Sequence, residues 1–236
     1  MKTVLYEAKT RGNKNYGWLN THHTFSFADY HNPERIHFGA LRVLNDDIVI
    51  AGEGFGTHPH NNMEIISIPL YGDLQHQDSM GNGSVIRSGE VQVMSAGTGI
   101  THSEFNANAK EDLNFFQIWI IPNQKEVTPR YGQQQFDFVN TRNQLIQIVS
   151  PSPDDAGLWI YQDAWFNIGT FDPNYSFNYP LKKEGNGLYI MVIEGDFEVE
   201  GQALSRRDGM GVWDTDSVQI TACSKEARVL LMEVPM

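Results

Sequence analysis

A single cysteine, Cys223, stands in 236 residues, so no intrachain disulfide can form and a reducing compartment suits the chain. Basic charge is scarce as well. Seventeen Lys and Arg against 29 Asp and Glu leave a net charge of −12, which repels phosphate backbones and anionic lipid headgroups, and the short Arg206-Arg207 pair does not offset it. Nucleic acid and membrane are therefore excluded as direct ligands. No run of about 18 apolar residues is present, and Met1-Lys2-Thr3-Val4-Leu5-Tyr6-Glu7-Ala8-Lys9 lacks the apolar stretch of a signal peptide; the expected location is the cytoplasm. Histidine is missing from the whole second half: all eight (22, 23, 31, 37, 58, 60, 76 and 102) lie in the first 102 residues. Imidazole chemistry belongs to the N-terminal half.

A sustained apolar period of 3.6 residues is also lacking, which excludes a helical protein. Short β-branched and aromatic runs bounded by Gly, Pro, Asn or Asp take its place: Ile65-Ile66-Ser67-Ile68, Val91-Gln92-Val93-Met94, Phe115 to Ile121 and Val229-Leu230-Leu231-Met232. Asn82-Gly83 and Asn186-Gly187 read as tight turns. The chain is expected to be all-β with minor helix.

Gly72-Asp73-Leu74 recurs 123 positions later as Gly195-Asp196-Phe197, and Ser88-Gly89-Glu90-Val91 recurs about 120 later as Asp208-Gly209-Met210-Gly211. Two β modules follow, expected at 1–137 and 138–236, with Pro151-Ser152-Pro153 near the junction. The repeat supplies an internal control. Shifted by these offsets, His58 and His60 fall on Leu181 and Lys183, and His102 and Glu104 on Ala222 and Ser224, so the second module carries no comparable ligands.

Two short pairs concentrate the chemistry, His58-Pro59-His60 and His102-Ser103-Glu104. Residues i and i+2 of a strand share a face, so each pair aims two donors at one spot, and two such strands can hold one ion. Three imidazoles and a carboxylate suit iron, manganese, cobalt, nickel, copper or zinc and suit calcium or magnesium poorly. A lone H-x-H is more often a surface pair. Here the second pair, the glycine-rich approach Gly52-Glu53-Gly54-Phe55-Gly56 and the blank second module favour a metal. Glu64, four residues past His60, shares its strand face if alternation is unbroken, and reads first as an acceptor that orients an imidazole, the alternatives being a fifth ligand or an acid/base group. His76 reads as a satisfied structural histidine, and His22 and His23, being adjacent, cannot both line one site. Gly97-Thr98-Gly99 lacks the third glycine of a dinucleotide loop and reads as a turn. No Gly-x-Ser-x-Gly elbow is present. Phe25, Phe27, Phe38, Phe116 and Trp119 are core candidates, some of them free to line a pocket above the ion.

The stretch from Gly52 to Glu104, with G-x5-H-x-H-x3-E and then G-x-G-I-T-H-S-E, resembles the cupin signatures in the form used by the pirin family, closest to bacterial pirin-like quercetin 2,3-dioxygenases. Arg11-Gly12, His23 to Tyr30 and Thr128-Pro129-Arg130-Tyr131 extend the resemblance over nearly the whole chain. It implies a bicupin, two antiparallel jelly-roll β-barrels packed together with the metal in the N-terminal one. It implies His58, His60, His102 and Glu104 as ligands to one divalent metal, iron(II) being the first choice. It also implies dioxygenase chemistry on a flavonol such as quercetin, with Glu104 or Glu64 taking the enol proton and carbon monoxide released. The competing expectation is a redox-sensing regulatory protein that acts through a protein partner, favoured by an exposed, charged mouth as the enzyme is by a deep aromatic cavity. A third is metal-dependent isomerisation of a sugar or keto acid.

Overall fold

The computed structural model describes residues 1–138 and 140–236. Apart from a 3-10 turn at Ala8–Thr10, its regular elements are strands. They form two seven-stranded and two four-stranded sheets. Among the described residues the ladders are antiparallel, except where Gln144–Ser150 meets the two-residue strand Leu158–Trp159; an isolated bridge between Arg142 and Thr170 is also parallel.

One four-stranded sheet is ordered Gly54–His60, Ile100–Asn106, Asp73–Asp78, Gly83–Arg87. It faces a seven-stranded sheet ordered Arg130–Gln135, Glu90–Ser95, Glu64–Tyr71, Leu113–Ile120, Leu41–Val49, Leu19–His23, Gly12–Asn15. The later chain repeats the plan, with Ser176–Pro180, Ser217–Ala222, Phe197–Val199 and Gln202–Leu204 as the small sheet. Non-consecutive neighbours in each sheet are the winding of a jelly roll. The expected all-β architecture of two antiparallel jelly rolls is what the chain adopts. The first strand, Lys2–Tyr6, crosses over and pairs with Gly209–Trp213 of the second sandwich.

The repeat is visible in the turns. Gly72 (φ 77°) and Gly195 (φ 75°) each lead into the third strand of their small sheet, and a Cβ at either would press on a facing segment, the Asp112 carbonyl or the Ser224 hydroxyl. Elsewhere a constant offset overshoots. Strand for strand, Gly54–His60 and Ile100–Asn106 correspond to Ser176–Pro180 and Ser217–Ala222, so the counterparts of the histidine pairs lie a few residues before Leu181, Lys183, Ala222 and Ser224. Neither strand contains His, Cys, Asp or Glu. The expected turn at Asn186-Gly187 is corrected too. The turn is at Gly185 (φ 82°), while Asn186 opens a strand because its amide donates to the buried Glu233 carboxylate at 3.0 Å. Gly187 leaves room for Phe38 and Met236.

Side-chain parity explains where the core sits. On Glu64–Tyr71 and Leu113–Ile120, residues Ile66, Ile68, Phe116 and Ile118 point out of their own sandwich. They pack with Phe166, Ile168, Met191, Leu230 and Met232 in a single cluster that joins the two large sheets. The opposite faces differ between the halves. The second sandwich has a continuous apolar interior that includes Leu188, Ile190, Phe197, Val218 and Ile220. The first has two small clusters, one around Leu19, Leu113 and Phe115 and one around Ile65, Met94 and Ile100. A polar rung accompanies them: Gly12, His23, Asn45, Gln117, Ser67, Gln92 and Gln133 stand in register across all seven strands.

A buried ion pair ties the halves together. The Nε of Arg207 lies 3.1 Å from the Asp46 carboxylate, and its terminal nitrogens donate to the Ile193 carbonyl (2.8 Å) and the Asn114 amide oxygen (3.1 Å). Arg207 holds a left-handed φ of 68°, in the hairpin where the first sandwich uses Gly89 (φ 92°). A side chain accepts that backbone strain because its guanidinium is needed inside. Removing Arg207 leaves Asp46 with the Arg11 guanidinium at 3.5 Å as its remaining cation and takes the buried donor from the Ile193 carbonyl and the Asn114 amide oxygen, so Arg207→Leu is expected to cost about 3–5 kcal/mol, read as a lower urea midpoint.

Candidate metal centre

Gly54–His60 is the edge strand of its sheet, which is where a strand accepts Pro59, and the proline is exposed. Its pairing sets His58 opposite His102 and His60 opposite Ile100. Between His102 and Glu104 the register shifts, so that Gly56 and Thr57 together face Ser103. This bulge turns Phe55 onto the face that carries His58 and His60. Gly54 has to be glycine, since a Cβ would meet the Glu104 carbonyl at 2.2 Å. Gly97 (φ 47°) is equally constrained by the Val127 carbonyl at 2.0 Å, as the expected turn before the second pair requires.

The three imidazoles converge. Ring centroids lie 4.9 Å apart for His58–His60, 4.5 Å for His58–His102 and 4.9 Å for His60–His102, and one nitrogen from each falls within 4.8 Å of the others. His58 Nδ1 sits 2.8 Å from the Gly56 carbonyl, and donation there leaves Nε2 as the free donor atom. His102 is only 2% exposed, and neither of its nitrogens has a hydrogen-bond partner among the described residues. Burial, reinforced by the neighbouring imidazoles, lowers His60 to about 4 and His102 to about 2. Both rings are thus neutral at physiological pH, the form that ligates, and resist protonation below the pH of about 6.5 at which a free imidazole titrates. Unpaired, neutral, mutually facing nitrogens fit a divalent transition metal.

Glu104 is brought to the same interior but lies outside that cluster of three. Its carboxylate, 2% exposed, accepts from Ser67 Oγ at 2.9 Å and from Gln117 Nε2 at 2.6 Å, both on the opposite sheet. Burial raises it to about 7 against the lowering effect of those two bonds. Ser67 and Gln117 were not singled out from the sequence. Their signal was there: one polar residue interrupting each of two apolar strands, at the inward parity.

Glu64 requires correction. The strand ends at His60, the turn through Asn62 (φ 46°) breaks the alternation, and Glu64 opens the next strand on the face that carries Ile66 and Ile68. Its carboxylate accepts from Ser95 Oγ at 2.7 Å, near Arg130, and bonds no imidazole. His76 is buried as expected but is not satisfied, because neither ring nitrogen has a partner among the described residues. Of the adjacent pair, His22 lies by Asn13, whereas His23 is buried against Phe27.

Two openings reach His58 and His60. An open depression of about 800 Å³ is lined by His58, His60, Met63, Thr98, Ile100 and Trp119, among others, and by no Asp, Glu, Lys or Arg. Behind them, a 60 Å³ space bordered by Glu104, Gln117 and Trp119 shares Phe27, Asn45, Asp47 and Phe55 with a 270 Å³ cavity under Tyr16 and Trp18. Phe27 and Trp119 therefore line the site, while Phe25, Phe38 and Phe116 belong to the core.

Residues 5–120 match the pirin family model and residues 147–234 match that of the quercetinase C-terminal cupin domain. The chain belongs to the pirin family. A quercetin 2,3-dioxygenase of Escherichia coli strain K12 is 43% identical over 231 residues, 98% of either chain. A pirin-like protein of Caulobacter vibrioides is 39% identical, covering 93% of this chain and 94% of its own. The crystal structure of bacterial pirin YhhW from Escherichia coli in complex with nickel(II) superposes with a TM-score of 0.93, at 40% identity and 99% coverage of both chains.

In this pirin the buried Glu104 carboxylate is in electrostatic tension with the fold. Glu104 has a folded value near 7 against 4.5 in a free chain, so its ionisation destabilises the fold as pH rises from 4.5 through 7. With a chelator present, Glu104→Gln is expected to stabilise the protein by about 2–3 kcal/mol at pH 8 and to leave it unchanged at pH 4.5, measured by urea unfolding at both pH values.

Proposed function

We propose that the chain is a metal-dependent dioxygenase that opens the central ring of a flavonol such as quercetin with dioxygen and releases carbon monoxide. In this reading residues 1–137, apart from the strand that crosses over, form the metal-binding barrel and 138–236 a barrel without metal. His58, His60, His102 and Glu104 hold one divalent ion, iron(II) by preference, with the nickel(II) of the solved relative an alternative. The place of action is the cytoplasm.

The observation that supports this best is three imidazoles with one nitrogen each turned toward a common point, two of them, His58 and His60, lining an uncharged depression walled by Trp119, Met63 and Ile100. A flat aromatic substrate matches such walls, and no converging cations select a sugar or keto acid. An ion bound there supplies Lewis acidity toward an enol oxygen and, if redox-active, a partner for dioxygen. The protein residues do the rest. Trp119, whose ring lies 4.9 Å from His60 and 5.3 Å from Phe27, orients the aromatic system and excludes water. Glu104 takes the enol proton, while Ser67 and Gln117 keep its carboxylate in place. Glu64, on the other face of the sheet, has no part in it.

The uncharged mouth disfavours the regulatory reading, in which charge around the site would meet a protein partner. Oxygen uptake matched by carbon monoxide on adding quercetin to metal-loaded protein is the expected result; loaded protein that yields neither would move the assignment to the regulatory role. His60→Ala should lower bound metal from about one ion per chain to near zero by elemental analysis, and full occupancy in the variant would refute the ligand set.

A further inference from the structure

His76 has no role in the chemistry above, yet it stands beside it. It lies on Asp73–Asp78, directly opposite Glu104 in register, and is completely buried. One face of its ring stacks on Tyr131 at 5.0 Å and 27°, and its centroid is 5.3 Å from that of His102. Packing against Tyr131 would be served as well by phenylalanine. Burying an imidazole with both nitrogens unused is unfavourable, so the nitrogens call for a reason.

His102 supplies one. When one of its nitrogens ligates an ion, the other carries a proton into a buried place, and in the structure that nitrogen also lacks an acceptor. The carboxylate opposite His102 in register, Asp78, is already engaged by the backbone N–H of Met80 and by the backbone and side-chain nitrogens of Asn82. We propose that His76 is a positioning residue of the metal centre, accepting the hydrogen bond from the non-ligating N–H of His102 and thereby setting that ligand's tautomer and ring orientation. The inference rests on the metal assignment to His58, His60 and His102.

The test uses whole chelator-stripped protein titrated with cobalt(II). His76→Phe keeps the stack on Tyr131 and is expected to bind cobalt(II) 10–100-fold more weakly than wild type, with displaced d–d absorption bands, while His76→Gln, which restores an acceptor, recovers most of both. A packing role would alter thermal stability without moving the bands. Wild-type affinity and spectrum in His76→Phe would overturn the proposal. A second measurement needs no variant: in zinc(II)-loaded, 15N-histidine-labelled wild type, a nitrogen–nitrogen coupling across a hydrogen bond between His102 and His76 is expected, and its absence is equally fatal. If His60→Ala binds cobalt(II) as wild type does, the metal centre itself is misassigned and this inference falls with it. Failure of His76→Phe alone leaves the centre standing.

Discussion

Everything distinctive in this chain follows from having to bury polar side chains inside one of two similar β-sandwiches. A buried donor or acceptor without a partner costs on the order of 1–3 kcal/mol, and the first sandwich holds many. His23, Asn45, Asp47, His76, Gln92 and His102 all present unpartnered atoms. No fold tolerates such an interior without rigid surroundings. Here two apolar clusters flank it, and the large sheet's other face is clamped to the second sandwich by a continuous apolar layer.

That arrangement gives the second sandwich a physical reason to exist. Its strands follow the same winding, but the positions facing inward from Ser176–Pro180 and Ser217–Ala222 are Tyr179, Val218, Ile220 and Ala222, which join an apolar core. The stability that the first half forgoes at its polar rung is available from the second, transmitted through the shared layer and the Arg207–Asp46 pair. Two copies of one topology have divided their work by changing what points inward.

Much of this could be read from the chain alone, for reasons that differ by residue. Strand character and the two histidine pairs were legible because period-2 alternation and i, i+2 spacing are local properties. Glu64 misled because its assignment assumed unbroken alternation, and Asn62 breaks it with a positive φ that no pattern announces. Asn186-Gly187 misled because the asparagine serves a distant carboxylate, Glu233. Ser67, Gln117 and Asn45 stand far apart in the chain, and only the pairing of their strands reveals one rung. Information of that kind is held in the register.

The register also explains why the carboxylate and the imidazoles behave as separate instruments. His58, His60 and His102 come from two neighbouring strands of the small sheet, so their spacing is set by one ladder and one bulge. Glu104 sits on that ladder too, but its hydrogen bonds run across the sandwich to Ser67 and Gln117 on the large sheet. Its position depends on the distance between sheets, whereas that of the imidazoles does not. A cation at the three histidines would draw Glu104 toward its ionised form and compete with Ser67 and Gln117 for its oxygens. In the proposed metal site the carboxylate would therefore exchange an ion for a proton, and the large sheet sets how readily it does so.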